Sequence, residues 1–370
     1  PGLLNKLPGG EEISILFPSL TARGYGVSRT INSFNYYGGK FDKKAINRLD
    51  AEEFLDALQE GGTASISAII GFFSVGFKPS EDIGTFAFTV NDYIAAYLHF
   101  PGFVADALNN GTIFDGSVSL EEFTYKTWWI RSYGLSYSRR LFDDPDGTVF
   151  RSISGGVSLK YYNGFVYQDI VIDASVATSH QDTLFSASFE AVSRNSFSSD
   201  LTFLNFFIED GKTPDNFLFP KAAGKRMGFD IGFSAELNKG ITIGLAISDI
   251  GKLDWSSNAG TRNIGASFTV LGNLDETIID SISSDAHVSD RVEGAFTVPL
   301  PTTLRAGIAL QFDQLFKKFP GKMGLAFDFN KGFNDQPSNS TDPRYSFGMN
   351  YQPARLAPII LSGLTYAKYT

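Results

Sequence analysis

The sequence predicts an all-β fold, a transmembrane up-and-down antiparallel β-barrel of about 14 strands forming a single domain over residues 1–370. Three observations predict it. Stretch after stretch alternates apolar with small or polar residues, the period-two signature of a strand with two unlike faces. Many stretches run ten residues or more, longer than the ~5–6 of an average soluble strand and long enough to cross a bilayer at a tilt. The composition, 37 Gly, 35 Phe and 15 Tyr against 3 Met, suits strands rather than helical bundles.

Residues 227–250 state the rule most clearly. Met227, Phe229, Ile231, Phe233, Ala235 and Leu237 alternate with Gly228, Asp230, Gly232, Ser234 and Glu236. Asn238-Lys239-Gly240 turns the chain, and Ile241, Ile243, Leu245 and Ile247 resume the alternation, which reads as a hairpin. Before it, Ile13, Ile15 and Phe17 mark a first strand, and 21–49 reads as a mixed connection. Asp50 with Glu53 forms a capping box for a short helix over 51–60. Ala64 to Phe72 alternates, then the phase slips at Phe73, which predicts a bulge. A long strand follows from Phe86, and Pro101 and Gly111 bracket a second short helix. Residues 117–141 form another long strand, closed by the turn at Asp144-Pro145-Asp146-Gly147. Residues 149–161, 165–177 and 183–192 read as three strands, the first two joined by a tight turn at Asn163-Gly164. Strands centred on Phe268, Val292, Ile308, Leu325, Phe347 and residues 356–369 complete the series.

A soluble sandwich also alternates, so length and loops decide between the two. The links at 78–82, 142–148, 180–182 and 238–239 are short, while 21–62, 100–117, 194–224 and 251–260 are long; the tight turn at Asn163-Gly164 and the long stretch 271–301 break this alternation. Short turns at one end and long loops at the other are the pattern of outer-membrane barrels. The longest uncharged run, 61–77, carries four glycines and is too weak for a spanning helix. The chain opens at Pro1 without a charged and then apolar leader, so any signal peptide has been removed or lies outside it.

No cysteine is present, which excludes disulfides and thiolate metal sites. The net charge of −9 and the lack of a basic run argue against nucleic acid as a partner. The three histidines, His99, His180 and His287, have no metal-ligand spacing. Ser179-His180-Gln181-Asp182 holds triad residue types, but four neighbours at a turn cannot supply triad geometry. No catalytic constellation, metal site or cofactor site is predicted, so the chain reads as a non-enzyme. The link 201–219 is more informative. It carries Phe203, Leu204, Phe206, Phe207, Ile208, Phe217, Leu218 and Phe219, apolar bulk that packs inward, lines a hydrophobic ligand entrance or meets a partner protein.

The segment Asp249-Ile250-Gly251-Lys252-Leu253-Asp254-Trp255, followed by Leu300-Pro301-Thr302-Thr303-Leu304-Arg305-Ala306-Gly307, resembles outer-membrane barrels of the FadL-like and PorV-like class. Trp128 to Tyr137 and Gly156 to Tyr161 resemble a Bacteroidetes-type branch of that class. The resemblance implies a 14-stranded barrel in the bacterial outer membrane, with an N-terminal segment, here Leu3, Leu4 and Leu7, that can plug the lumen. It implies membrane lipids as surroundings, and passive transport of a hydrophobic small molecule such as a fatty acid. The alternative it implies is a secretion-associated barrel that holds another outer-membrane or surface protein. The chain departs from the class in ending at Tyr369-Thr370 rather than at a terminal aromatic.

Overall fold

A computed structural model of the chain describes residues 12–16, 19–26, 62–100, 116–179, 184–201, 218–238, 240–271, 287–288, 292–316, 319–353 and 358–367. They form one antiparallel sheet of seventeen strand segments, with one four-residue helix, α1 (Phe312–Leu315), among the described residues. Three of the seventeen segments have four residues or fewer, which leaves the fourteen substantial strands the alternation predicts. The helices predicted at 51–60 and 101–111 lie outside the described residues.

The register reduces the segments to a plain meander. β1 (Glu12–Leu16) and β2 (Ser19–Gly26) meet β3 (Gly62–Ser80) in one continuous register, Leu16 opposite Ser74 and Ser19 opposite Gly71. They are two halves of one pass, on either side of a proline that has no N–H to give a ladder. β4 (Gly84–Phe100), β5 (Gly116–Asp143) and β6 (Phe150–Ser179) follow in order. β7 (Leu184–Phe197) pairs with the upper half of β6, and β8 (Gly224–Leu237) with the lower half. β9 (Ile241–Trp255) then climbs beside β8, and β10 (Gly260–Leu271) continues beside β7. The next descent is β11 (His287–Val288) and β12 (Val292–Glu293) on β10, then β13 (Phe296–Pro299) and β14 (Thr303–Gln311) on β9. β15 (Lys322–Gly332), β16 (Arg344–Gln352) and β17 (Ile360–Ala367) finish the sheet. Thus β7–β8, β9–β10 and β11–β14 are each one broken pass.

Among the described residues the chain makes eleven passes, and the sheet does not close, since β1–β2 and β17 each pair on one side only. The antiparallel all-β architecture is the one the sequence predicts, with the sheet left open among the described residues. After these eleven passes the two edges of the described sheet run the same way. An all-antiparallel barrel closes with an even number of strands.

Other expectations need correction. The tight turn at Asn163-Gly164 does not exist, because β6 runs through it for 30 residues. Gly164 is there for space: a Cβ would collide with the Trp255 ring. The supposed long link 251–260 shrinks to 256–259, and part of 21–62 is strand β2. The predicted bulge is present, with the β3–β4 register shifting between Gly71 and Phe73. The short links at 81–83, 144–149 and 238–240 share one end of the sheet.

Candidate functional site

Two faces of the same wall carry the chemistry. On the outward face, register pairing sets side chains in horizontal rows. Phe88, Leu135, Leu159 and Phe229 make one row. Ala235, Ile243, Ile308, Phe327, Phe347 and Leu364 make another. Most of these side chains are exposed, Leu135 by 59% and Leu364 by 64%, while Ala235 and Phe347 are half-buried. Above them Tyr133, Tyr161 and Met227 form a partly aromatic row. One step higher the row turns polar: Asp92, Arg131, Asn163, Lys225, Asp254 and Thr297. From Tyr161 down to Phe150 at ~3.3 Å per residue and a tilt of ~40°, the apolar band is roughly 28 Å tall, matching the ~25 Å of known membrane barrels.

The inward face is small and polar, then aromatic. Ser136 and Ser158 share a hydrogen bond of 2.7 Å across the β5–β6 boundary. Lys160 donates to Asp249 Oδ1 at 2.6 Å and sits 2.9 Å from Asp230 Oδ2. Tyr162 Oη also donates to Asp249 Oδ1, at 2.5 Å. Asp249 has φ 57°, in the left-handed region, and its own N–H donates to Asp230 Oδ1 at 2.8 Å. The β8–β9 register shifts here, between Phe229 and Ile231. This bulge reverses the phase of β9, so Leu253 and Trp255 point inward although Ile243 and Leu245 point outward. The second motif segment closes on the first. Thr302 Oγ1 donates to the Asp249 carbonyl at 2.8 Å, and the Leu300 N–H to that of Gly251 at 3.0 Å.

Above the ion-paired cluster, Trp128, Tyr162, Tyr167, Leu253, Trp255 and Leu300 pack into a buried layer, with Tyr167 and Trp255 ring centroids 5.4 Å apart. On the far wall, Ala309, Gly324, Ala326, Gly348, Asn350 and Gly363 line an open trough of about 450 Å³. Among the described residues the inward face is thus packed beside β5–β9 and open beside β14–β17.

A second cluster lies on the outward face. Trp129, Phe165 and Leu201 pack together where the link between β7 and β8 leaves the wall. Beside them Arg131 holds Asp92 through Nε at 2.6 Å and Nη2 at 2.9 Å, and Trp129 Nε1 donates to the same carboxylate at 2.9 Å. The third arm of the guanidinium, Nη1, donates to the Leu218 carbonyl at 2.7 Å, and its face meets the rings of Phe72, Phe165 and Phe219. A fully paired charge shielded by three aromatic rings can sit at the edge of an apolar band. Asp200, at the start of the link, accepts the Lys221 N–H at 2.9 Å, and that bond holds its carboxyl below the usual range.

A model of DUF5723, a family of unknown function, matches residues 12–364. The chain belongs to DUF5723. No curated protein and no solved structure matches it.

Of the residues that the sequence singles out in this DUF5723 member, Leu218 and Phe219 lie against Arg131, 61% and 78% exposed. Phe203, Leu204, Phe206, Phe207, Ile208 and Phe217, and the plug candidates Leu3, Leu4 and Leu7, lie outside the described residues. The DUF5723 match contains both motif segments, and the structure brings them into contact. Sequence reasoning missed Lys160, Asp230 and Asp249 as a group. Their signal was a charge in the small-residue phase of a strand, a phase in which single charges are common.

Proposed function

We propose that this DUF5723 chain is an integral outer-membrane β-barrel protein that passes hydrophobic small molecules, such as fatty acids, in the FadL-like manner. The observation that carries the membrane reading is the outward face: tiers of exposed Phe, Leu and Ile, an aromatic row, then a polar row at one height. In water such a face would be a large aggregation liability. The aromatic interior layer favours apolar cargo over an open aqueous channel. Leu159→Arg, in the middle of the belt, is expected to destabilise the inserted protein by about 2–4 kcal/mol, read by urea unfolding in detergent or bilayers. An effect within ~0.5 kcal/mol, the size expected at an ordinary water-facing site, would sink the membrane reading.

For cargo, titration of the purified protein with a long-chain fatty acid is expected to saturate. A linear, non-saturating uptake would argue for the second reading, a PorV-like barrel that holds a partner protein. One observation favours that alternative. β6 continues from Asn163 to Ser179, ~50 Å along the strand, and with β7 and β10 raises a sheet above the polar row. Co-isolation of one stoichiometric surface protein, lost when 184–197 and 260–271 are removed together, is the result that reading predicts.

A further inference from the structure

We propose that the outer rim of β8 and β9 binds the phosphate groups of outer-leaflet lipids through Lys225, Lys252 and Arg226, with the apolar Leu218-Phe219 pair beside them. The inference rests on the membrane reading above and adds a ligand and a place. Lys225 stands in the polar row, directly above the Tyr161–Met227 level where the apolar band stops. Lys252 and Asp254 share the outward side of β9, because the bulge at Asp249 turns Leu253 and Trp255 inward. All three cations are exposed. Arg226 shares its charge with Asp254 at 2.7 Å, while Lys225 and Lys252 form no ion pair among the described residues. Lys221, 77% exposed in its side chain near the end of the link, is already paired with Asp200 at 3.4 Å.

This convergence runs against the chain as a whole, whose net charge is −9. Three cations, Lys225, Arg226 and Lys252, surround the one carboxylate of Asp254 at the edge of the hydrocarbon band, which leaves a net positive charge facing the headgroup layer. Their stems lie along the band while the charged ends reach upward to phosphate. Arg131, two strands away at ~10 Å, fixes the Leu218 carbonyl and so sets Leu218 and Phe219 at the same height, where apolar side chains enter the acyl region below the phosphates. A soluble anion would gain the charge contact alone; a lipid gains both.

The test uses the full chain purified in zwitterionic detergent. Native mass spectrometry measures retention of a bis-phosphorylated lipid A and of the same glycolipid with its phosphates removed. Wild type is expected to retain the phosphorylated form roughly 10- to 30-fold better. Lys225→Ala with Lys252→Ala is expected to remove that preference, and Lys225→Arg with Lys252→Arg to keep it. Heat-modifiable mobility on gels checks that each variant folds. A folded alanine variant with undiminished preference, or a wild type with none, overturns the proposal and leaves the membrane reading standing. A protein that stays monodisperse without detergent overturns both.

Discussion

Lys160→Met is expected to cost about 3–5 kcal/mol of stability, the loss typical of removing one partner from a buried ion pair. Lys160 is the only cation among the described residues that reaches both Asp230 and Asp249, which are also linked to each other through the Asp249 N–H. Its side chain is 13% exposed and theirs 9% and 17%, so water can replace little of what the ammonium supplies. Without it, two carboxylates share a crowded interior site, and the left-handed backbone of Asp249 loses a main anchor. The check is a denaturant titration followed by Trp fluorescence, because Trp255 depends on the same bulge for its inward orientation. Adding Asp249→Asn to the Lys160 variant is expected to recover part of the loss, since a neutral amide relieves the repulsion. No recovery, or a loss for Lys160→Met below ~1 kcal/mol, would mean that the cluster is solvated and incidental.

Trp255→Ala is expected to cost a comparable 3–5 kcal/mol, from transfer plus the cavity left behind. Trp255 is 0% exposed and touches both Gly164 and Gly224 closely enough that neither tolerates a side chain. The surrounding backbone belongs to paired strands and cannot collapse into the hole. Trp255→Phe is expected to cost distinctly less. The Trp255 Nε1 finds no acceptor among the described residues, so losing it forfeits no hydrogen bond. Gly164→Leu tests the same contact from the other side and is expected to block folding, visible as loss of the heat-modifiable form. A folded Gly164→Leu variant of wild-type stability would show that the ring is not seated there.

These contrasts explain what the sequence could and could not reveal. The outward rows were legible because Phe229, Ile231 and Phe233 repeat at a strict period of two and the solvent they face imposes that period. The bulge at Phe72 was legible for the same reason, as a slip in an otherwise regular phase. The bulge at Asp249 was missed: the phase moves from Ile247 to Ile250, but a single apolar residue in the new phase before Leu253 and Trp255 was too little to mark it. Gly164 misled because glycine before a long apolar run usually marks a turn, whereas here it makes room for a ring distant in sequence. The outer position of Leu218 and Phe219 depends on Arg131, a partner 87 residues away whose charge the alternation alone could not assign to a face.

Three interruptions in the meander, after β7, after β9 and after β12, fall at nearly one height, at or just above the polar row, while the two shorter ones, between β1 and β2 and after β13, lie below it. On the proposed membrane reading, amides below that seam are surrounded by oil and find their mates in the neighbouring strand. Above it, water can serve any amide the ladder drops. The wall is therefore a building of two storeys under different regulations: the lower storey admits only bulges and breaks of two or three residues, and longer segments are spliced in along the floor between them. Natural variants of this family should differ in length at that floor far more than anywhere beneath it.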